Sequence, residues 1–287
     1  MTNKQKNIIF AIALRSKGST DNWESVVDNF NNTLKSIFNQ TDPNFLVYVG
    51  CNEIPELYDA YDERLHFFQV NNPVPKEWVE MARDKYWKYL VVAHQIREYL
   101  FATNDPQKGI FVLPMDADDY VHNKICWYVG ENYDANGYVS EYGYVYYQGE
   151  NGLLKYNQMN TLCGSCNIIK MYPDDLPEEL PPNDLCFDKE TAGVLNDRYP
   201  IRWDHHVMVE KYRELGKKFS VLPFPSTIYY LGNGDNISAI YSAEHASKQT
   251  IKDRIRGIAS KIKHYPERRK NTKKITSEIR ETYAFYI

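Results

Sequence analysis

The feature that most limits the fold is the run Phe111-Val112-Leu113-Pro114-Met115, followed at once by Asp116-Ala117-Asp118-Asp119. Consecutive apolar residues leave no polar face for solvent, so Gly109 to Leu113 reads as a strand covered on both sides and ending at Pro114. Such a strand belongs to a parallel sheet flanked by helices. It delivers three carboxylates to its carboxyl end, where open α/β sheets place their ligands.

The segments before it fit that frame. Asn7 to Leu14 reads as a buried strand, and Trp23 to Phe38 as a helix with Val26, Val27, Phe30, Leu34 and Ile37 on one face and Asp21 as its cap. Asn44 to Val49 and Leu65 to Val70 read as strands, and about Lys76 to Phe101 as a long helix. Strand–helix–strand order of this kind implies a mostly parallel sheet. After Asp119 the pattern changes. Tyr138 to Gln148 alternates like an exposed strand, with a Gly149-Glu150-Asn151-Gly152 turn before Leu153 to Tyr156. The prolines and acids of Pro173 to Pro182 mark a surface loop, Trp203 to Leu215 has helical spacing and a stop at Gly216, and short strands follow near Ser220 to Leu222 and Thr227 to Leu231.

Charge is unevenly spread. The chain carries -4 overall, yet residues 246–287 hold 12 Lys/Arg against 4 Asp/Glu, so the body is acidic. An acidic body argues against nucleic acid as a partner, and the basic stretch reads as a separate helical tail, divided at Pro266. Positive helices rest well on an anionic membrane surface; packing on the acidic body or on a second subunit, giving a homo-oligomer, is the alternative. The five cysteines are odd in number and scattered, and Cys163-Gly-Ser-Cys166 lacks the second pair a zinc ribbon needs, so reduced cysteines in the cytoplasm are expected. The N-terminal apolar run Ile8 to Leu14 is followed directly by Arg15-Ser16-Lys17, with no small-residue cleavage site, and fits a first strand better than a signal peptide. No stretch approaches the ~20 apolar residues of a membrane span. The 24 tyrosines suit either hydroxyl-rich ligands or plain strand surfaces.

Two carboxylates one residue apart can present oxygens to one divalent cation, and Mg²⁺ or Mn²⁺ typically shares such ligands with phosphate. Asp-x-Asp alone is common in turns and caps; its place after a buried strand, between an alternating βα half and a hairpin-rich half, favours the metal site.

Residues 7 to 235 resemble a GT-A glycosyltransferase, closest to the family 2-like bacterial enzymes that build surface polysaccharides. The resemblance lies in Ala13-Leu14-Arg15 ending the first strand, in Thr33-Leu34-Lys35-Ser36-Ile37-Phe38-Asn39-Gln40, in the strand Phe45 to Val49, in Asp-Ala-Asp-Asp and in Trp203-Asp204-His205-His206. It implies a Rossmann-like α/β catalytic domain over residues 1–240, with a nucleotide-sugar-binding half (1–119), an acceptor-binding half (120–240) and the tail from 241 to 287. It also implies a nucleoside-diphosphate sugar as donor, a glycan or lipid-linked glycan as acceptor, and Mn²⁺ or Mg²⁺ at the site. A lipid-linked acceptor would put a cytoplasmic enzyme at the inner face of the membrane. Carried over residue by residue, Asp118 ligates the metal, Asp119 ligates or supports it, and Asp116 faces the ribose or a metal-bound water. Asp204 is the general base of an inverting transfer, with its helix-capping role as the plain alternative. His206 is a further metal or diphosphate ligand, with His205 and His245 competing for the role. Arg15, Glu53, Lys85 and Lys88 are expected on the nucleotide and its phosphates, and Gly164-Ser165-Cys166-Asn167 on the acceptor side. Asn233 lies in a Gly/Asn-rich loop, Leu231 to Ser238, able to close over the donor.

Two departures stand out. The second strand is followed by Gly50-Cys51-Asn52-Glu53 rather than the family's usual acids, and Trp203-Asp204 replaces a Glu-Asp pair. The "Q..RW" motif of processive synthases is missing, which argues for addition of a single sugar. A sugar nucleotidyltransferase would need a Gly-rich basic loop after the first strand, of which Arg15-Ser16-Lys17-Gly18-Ser19 is a poor version. A non-catalytic carbohydrate-binding protein on this fold would be expected to lose the carboxylates.

Overall fold

The computed structural model describes residues 5–232 and 271–286. It is an α/β structure with two sheets, both containing parallel and antiparallel pairs. The first sheet has seven strands, in the spatial order β10 (Ser220–Val221), β6 (Gly137–Val139), β9 (Asn167–Met171), β4 (Ile110–Met115), β1 (Ile8–Ala13), β2 (Phe45–Cys51) and β3 (Leu65–Gln69). Its parallel part comprises β1, β2, β3 and β4. Pleating explains the unbroken apolar runs. Ile8, Phe10 and Ile12 of β1, with Phe111, Leu113 and Met115 of β4, face α1 (Trp23–Phe38) through Phe30, Leu34 and Ile37. Ile9 and Ala11, with Ile110 and Val112, face α2 (Trp78–Phe101) through Leu90, Ala93 and Ile96. Both faces are buried, so neither strand alternates. At Gly50 α2 comes so close to β2 that a Cβ would stand 2.9 Å from the Lys88 carbonyl oxygen, which excludes any larger residue there.

Several elements depart from expectation. Asn22, not Asp21, caps α1, its side chain accepting from the Ser25 N–H. The segment Tyr138 to Gln148 is two strands in different sheets. β6 (Gly137–Val139) joins the first sheet and β7 (Tyr142–Tyr147) the second, and the chain crosses at Ser140, whose Oγ donates to the Tyr142 carbonyl at 2.8 Å. An unforeseen strand, β9 (Asn167–Met171), runs antiparallel between β4 and β6. The first sheet is completed by β10 (Ser220–Val221), so residues from both expected halves build it.

The second sheet, in the order β12-β8-β7-β11-β5, adds β5 (Tyr120–Val121), β8 (Gly152–Asn157), β11 (Thr227–Leu231) and β12 (Thr272–Lys274). The β7–β8 hairpin forms about the expected turn. The short helices α3 (Ile125–Glu131), α4 (Lys189–Arg198) and α5 (His205–Glu214) precede a last helix, α6 (Ser277–Tyr283). The expected separate tail fails at its end. β12 pairs with β8, and Tyr283 and Phe285 are buried against Tyr120, Tyr144 and Tyr146. The two buried aromatic side chains hold this segment to the body. The rest of the basic stretch, with Pro266, His245 and Asn233, lies outside the described residues. Among the described residues no helix is long and apolar enough to cross a membrane.

What matters for the site is a junction. The chain leaves β4 of the first sheet at Met115 and enters β5 of the second at Tyr120, so residues 116–119 form the turn joining the two sheets.

Candidate functional site

A cavity of about 230 Å³ opens at the carboxyl ends of β1 and β4. Leu14 and Arg15 from the end of β1, Asp84 and Lys85 from α2, Asp116 and Asp118 from the turn, Gly164, His205 and Tyr229 line it. The two expected halves meet across it.

The turn carrying the acids is clamped from four directions. Thr33 Oγ1 of α1 stands 3.0 Å from both the Ala117 and Asp119 carbonyl oxygens, and the Tyr89 hydroxyl of α2 donates to the Met115 carbonyl at 3.0 Å. The Asp116 N–H donates to Ser165 Oγ at 2.9 Å, and that hydroxyl donates to Asp119 Oδ2 at 2.5 Å. Asp119 Oδ2 also accepts from the Cys163 thiol at 3.2 Å, while Oδ1 accepts from the Tyr230 N–H of β11 at 3.2 Å.

These bonds divide the three aspartates. Asp116 and Asp118 reach the cavity. Asp119 is fully buried with both oxygens engaged inside the fold, so the structure corrects its expected place among the metal ligands. Burial, then the nearby Asp118 and Asp116 carboxylates, push its carboxyl well above the usual range; the Ser165 and Cys163 bonds counter this only in part. Asp119 anchors the turn. The expected acceptor-side residues Ser165 and Cys166 are likewise buried, and only Gly164 of that group reaches the cavity.

The two lysines of α2 also separate. Lys85 Nζ pairs with Asp116 Oδ1, and both side chains remain about a quarter exposed, at 27% and 26%. Burial lowers the affinity of the Lys85 amine for its proton, but Asp116, Tyr89 and Tyr86 outweigh this and hold it well above the ordinary lysine range. Lys88 is wholly buried. It donates to Asp84 Oδ2 at 2.6 Å and to the Leu14 carbonyl at 2.8 Å, fastening α2 to the end of β1. With its ammonium spent there, it is no phosphate contact, contrary to expectation.

Arg15 lines the cavity while its guanidinium bonds Ser19, closing the turn after β1. Glu53 is not among the lining residues. Its carboxylate accepts from the Lys17 N–H at 3.0 Å, bracing that turn from β2.

Asp204 is the N-cap of α5. Its Oδ1 lies 3.0 Å from His205 Nδ1 and 2.7 Å from His206 Nδ1. Partial burial raises its carboxyl, but the two imidazoles prevail and bring it down to about 2. His205 faces the cavity, and Asn167 Nδ2 of β9 secures its carbonyl oxygen at 2.8 Å. His206 is exposed and stands with Asp204 rather than among the cavity-lining acids. Among the described residues, Asp204, His205 and His206 bring three ligand atoms within 4.8 Å of one another, a group able to hold a metal ion.

The donor chemistry fits a hard divalent cation. Asp116 and Asp118, both carboxylates, line one cavity, and Gly164 leaves space beside Asp116, since a Cβ there would stand 3.2 Å from Asp116 Oδ2. Sequence reasoning did not single out Asn29, Met81 or Tyr229, which also line the cavity. They sit in ordinary helix and strand patterns and carry no motif. No protein-family model matches the chain, and no curated protein matches it.

Proposed function

We propose that the chain is a metal-dependent glycosyltransferase of the GT-A type, moving one sugar from a nucleoside-diphosphate donor to a hydroxyl of a glycan or glycolipid. One observation carries the reading: Asp116 and Asp118 stand in a cavity at the carboxyl ends of parallel strands, on the turn where the chain passes from a mainly parallel sheet to a smaller second one. Asp118 and Asp116 would hold Mg²⁺ or Mn²⁺, which supplies charge neutralisation for the departing diphosphate.

The remaining work falls to this chain's own groups. Lys85 offers a charged donor to phosphate oxygens, and Arg15 lines the same cavity. In a single displacement the acceptor oxygen bonds to the anomeric carbon, whose bond to the diphosphate oxygen breaks with the electron pair leaving on that oxygen. The hydroxyl proton goes to the Asp204–His205 pair. His205 is its cavity-facing member, and Asp204, kept ionised, fixes the ring through Nδ1. Direct displacement inverts the anomeric configuration.

The test is a panel of nucleotide sugars, each added with and without Mn²⁺, read by thermal stabilisation and by release of nucleoside diphosphate. One donor is expected to stabilise and turn over in a Mn²⁺-dependent way, and Asp118→Asn to abolish both responses. Indifference to every donor sinks the reading. Asp204→Asn and His205→Ala are expected to lower turnover far more than donor affinity.

A further inference from the structure

We propose that the Lys85 ammonium holds the place of a divalent cation at Asp116, so that cation and diphosphate enter the cavity as a coupled pair. This rests on the reading of Asp116 and Asp118 as a cation site.

The first observation is the position of the ion pair. Lys85 Nζ meets Asp116 Oδ1 with both side chains partly open, and both residues line the cavity, so the pair faces the space where a ligand would stand. The second is the contrast with Lys88, three residues on. Its ammonium is enclosed by Asp84 and the Leu14 carbonyl and cannot move without breaking the fold's own bonds. Helix α2 thus has one lysine spent on structure and another left at the cavity. The third is the removal of Asp119 from the cavity's charge, because its carboxyl is buried and bonded elsewhere. The acids lining the cavity are then Asp84, Asp116 and Asp118; Lys88 already holds Asp84, and Lys85 balances Asp116.

A divalent cation arriving alone meets a carboxylate that has its counter-ion. To use Asp116 it must displace the ammonium or lie beside it, and two positive charges a few ångströms apart repel in a partly enclosed site. A diphosphate changes the balance. Its oxygens give Lys85 a second anionic partner, and Asp116 is released toward the cation. By linkage each ligand then raises the other's affinity by the same factor.

Mn²⁺ binding to the protein without any nucleotide, followed by the electron paramagnetic resonance signal of free Mn²⁺, tests this directly. Lys85→Met is expected to bind Mn²⁺ about tenfold tighter than the unaltered protein, a size usual for coupling between sites. Lys85→Arg, which keeps the charge, is expected to match the unaltered protein, and adding Asp116→Asn to Lys85→Met to erase the gain. Thermal midpoints of all variants confirm folding. Unchanged or weaker Mn²⁺ binding by Lys85→Met, with binding still dependent on Asp118, overturns the placeholder role and leaves the cation site standing. Mn²⁺ bound by none of the variants overturns the cation site and this inference with it. In a second arm, UDP, GDP, ADP and CDP are each added with Mn²⁺. The best of them should stabilise the unaltered protein by more than the sum of its separate effects, and Lys85→Met by a smaller excess over its own sum. An additive response in the unaltered protein overturns the coupling.

Discussion

The acid-bearing turn at residues 116–119 and the start of α5 at residues 204–206 both place aspartate at the end of an element, and they hold it in opposite ways. The turn is clamped by residues far away in the chain: Thr33 from α1, Tyr89 from α2, Ser165 after β8 and Tyr230 from β11. Asp204 is bonded mainly to its own neighbours, His205 and His206. The electrostatic results differ to match. Burial drives the Asp119 carboxyl up, whereas two imidazoles draw Asp204 down to about 2. Three aspartates within four residues therefore do different work: Asp119 joins the sheets, Asp116 meets Lys85, and Asp118 lines the cavity.

The largest effect is expected at Asp119. Asp119→Ala strands the Tyr230 N–H and the Ser165 and Cys163 donors in the interior, and should lower unfolding free energy by about 3 kcal/mol. Asp119→Asn keeps the shape and should cost under ~1.5 kcal/mol. It also gives the pH dependence a definite sign. The folded carboxyl binds its proton more tightly than the unfolded one, so its contribution is full below the ordinary carboxylate range and is lost as pH rises through the folded value. The variant does not titrate there, so its stability relative to the unaltered protein should improve from pH 4.5 upward. Urea midpoints between pH 4.5 and 8.5 measure this, and a flat difference would break the contrast with Asp204. Thr33→Val comes next. It removes the hydroxyl shared by the Ala117 and Asp119 carbonyls and should cost about 1 kcal/mol, with the Mn²⁺ affinity proposed for the turn falling as its geometry loosens.

The difference between the regions also shows what sequence could disclose. Apolar runs report burial on both faces, so β1, β2, β4, α1 and α2 were legible within a few residues. The split of Tyr138 to Tyr147 between two sheets was not, because an alternating tyrosine pattern suits either sheet and the crossing at Ser140 has no motif. β9 was missed because its middle strand position depends on β4 and β6, both distant in sequence. The acidic turn itself was visible, but its division was not. Whether an aspartate faces cavity or core depends on Ser165, Cys163 and Tyr230, whose approach is a product of the fold. Lys85 and Lys88 looked alike for the same reason: three residues along the helix take the ammonium from a partly open pair with Asp116 to an enclosed place between Asp84 and the Leu14 carbonyl. The capping role of Asp204 was legible because it is local.

The smallest expected effect lies at that cap. Asp204→Ala should cost no more than ~1 kcal/mol, since its bond to the His206 N–H is long, at 3.5 Å, and the side chain is partly exposed. Its pH signature should run opposite to that of Asp119. The folded carboxyl is an easier acid than the unfolded one, so the contribution is present above the ordinary carboxylate range and is lost as pH falls through about 2. Comparing the unaltered protein with Asp204→Asn between pH 6 and pH 2, the advantage of the aspartate should shrink as acid is added. The Asp119→Asn comparison should change in its own, higher pH range with the other sign. Two slopes of the same sign would mean that Asp204 is held by burial as Asp119 is, and α5 would then begin as an inward anchor rather than as a locally capped helix whose carboxylate stays ionised beside His205.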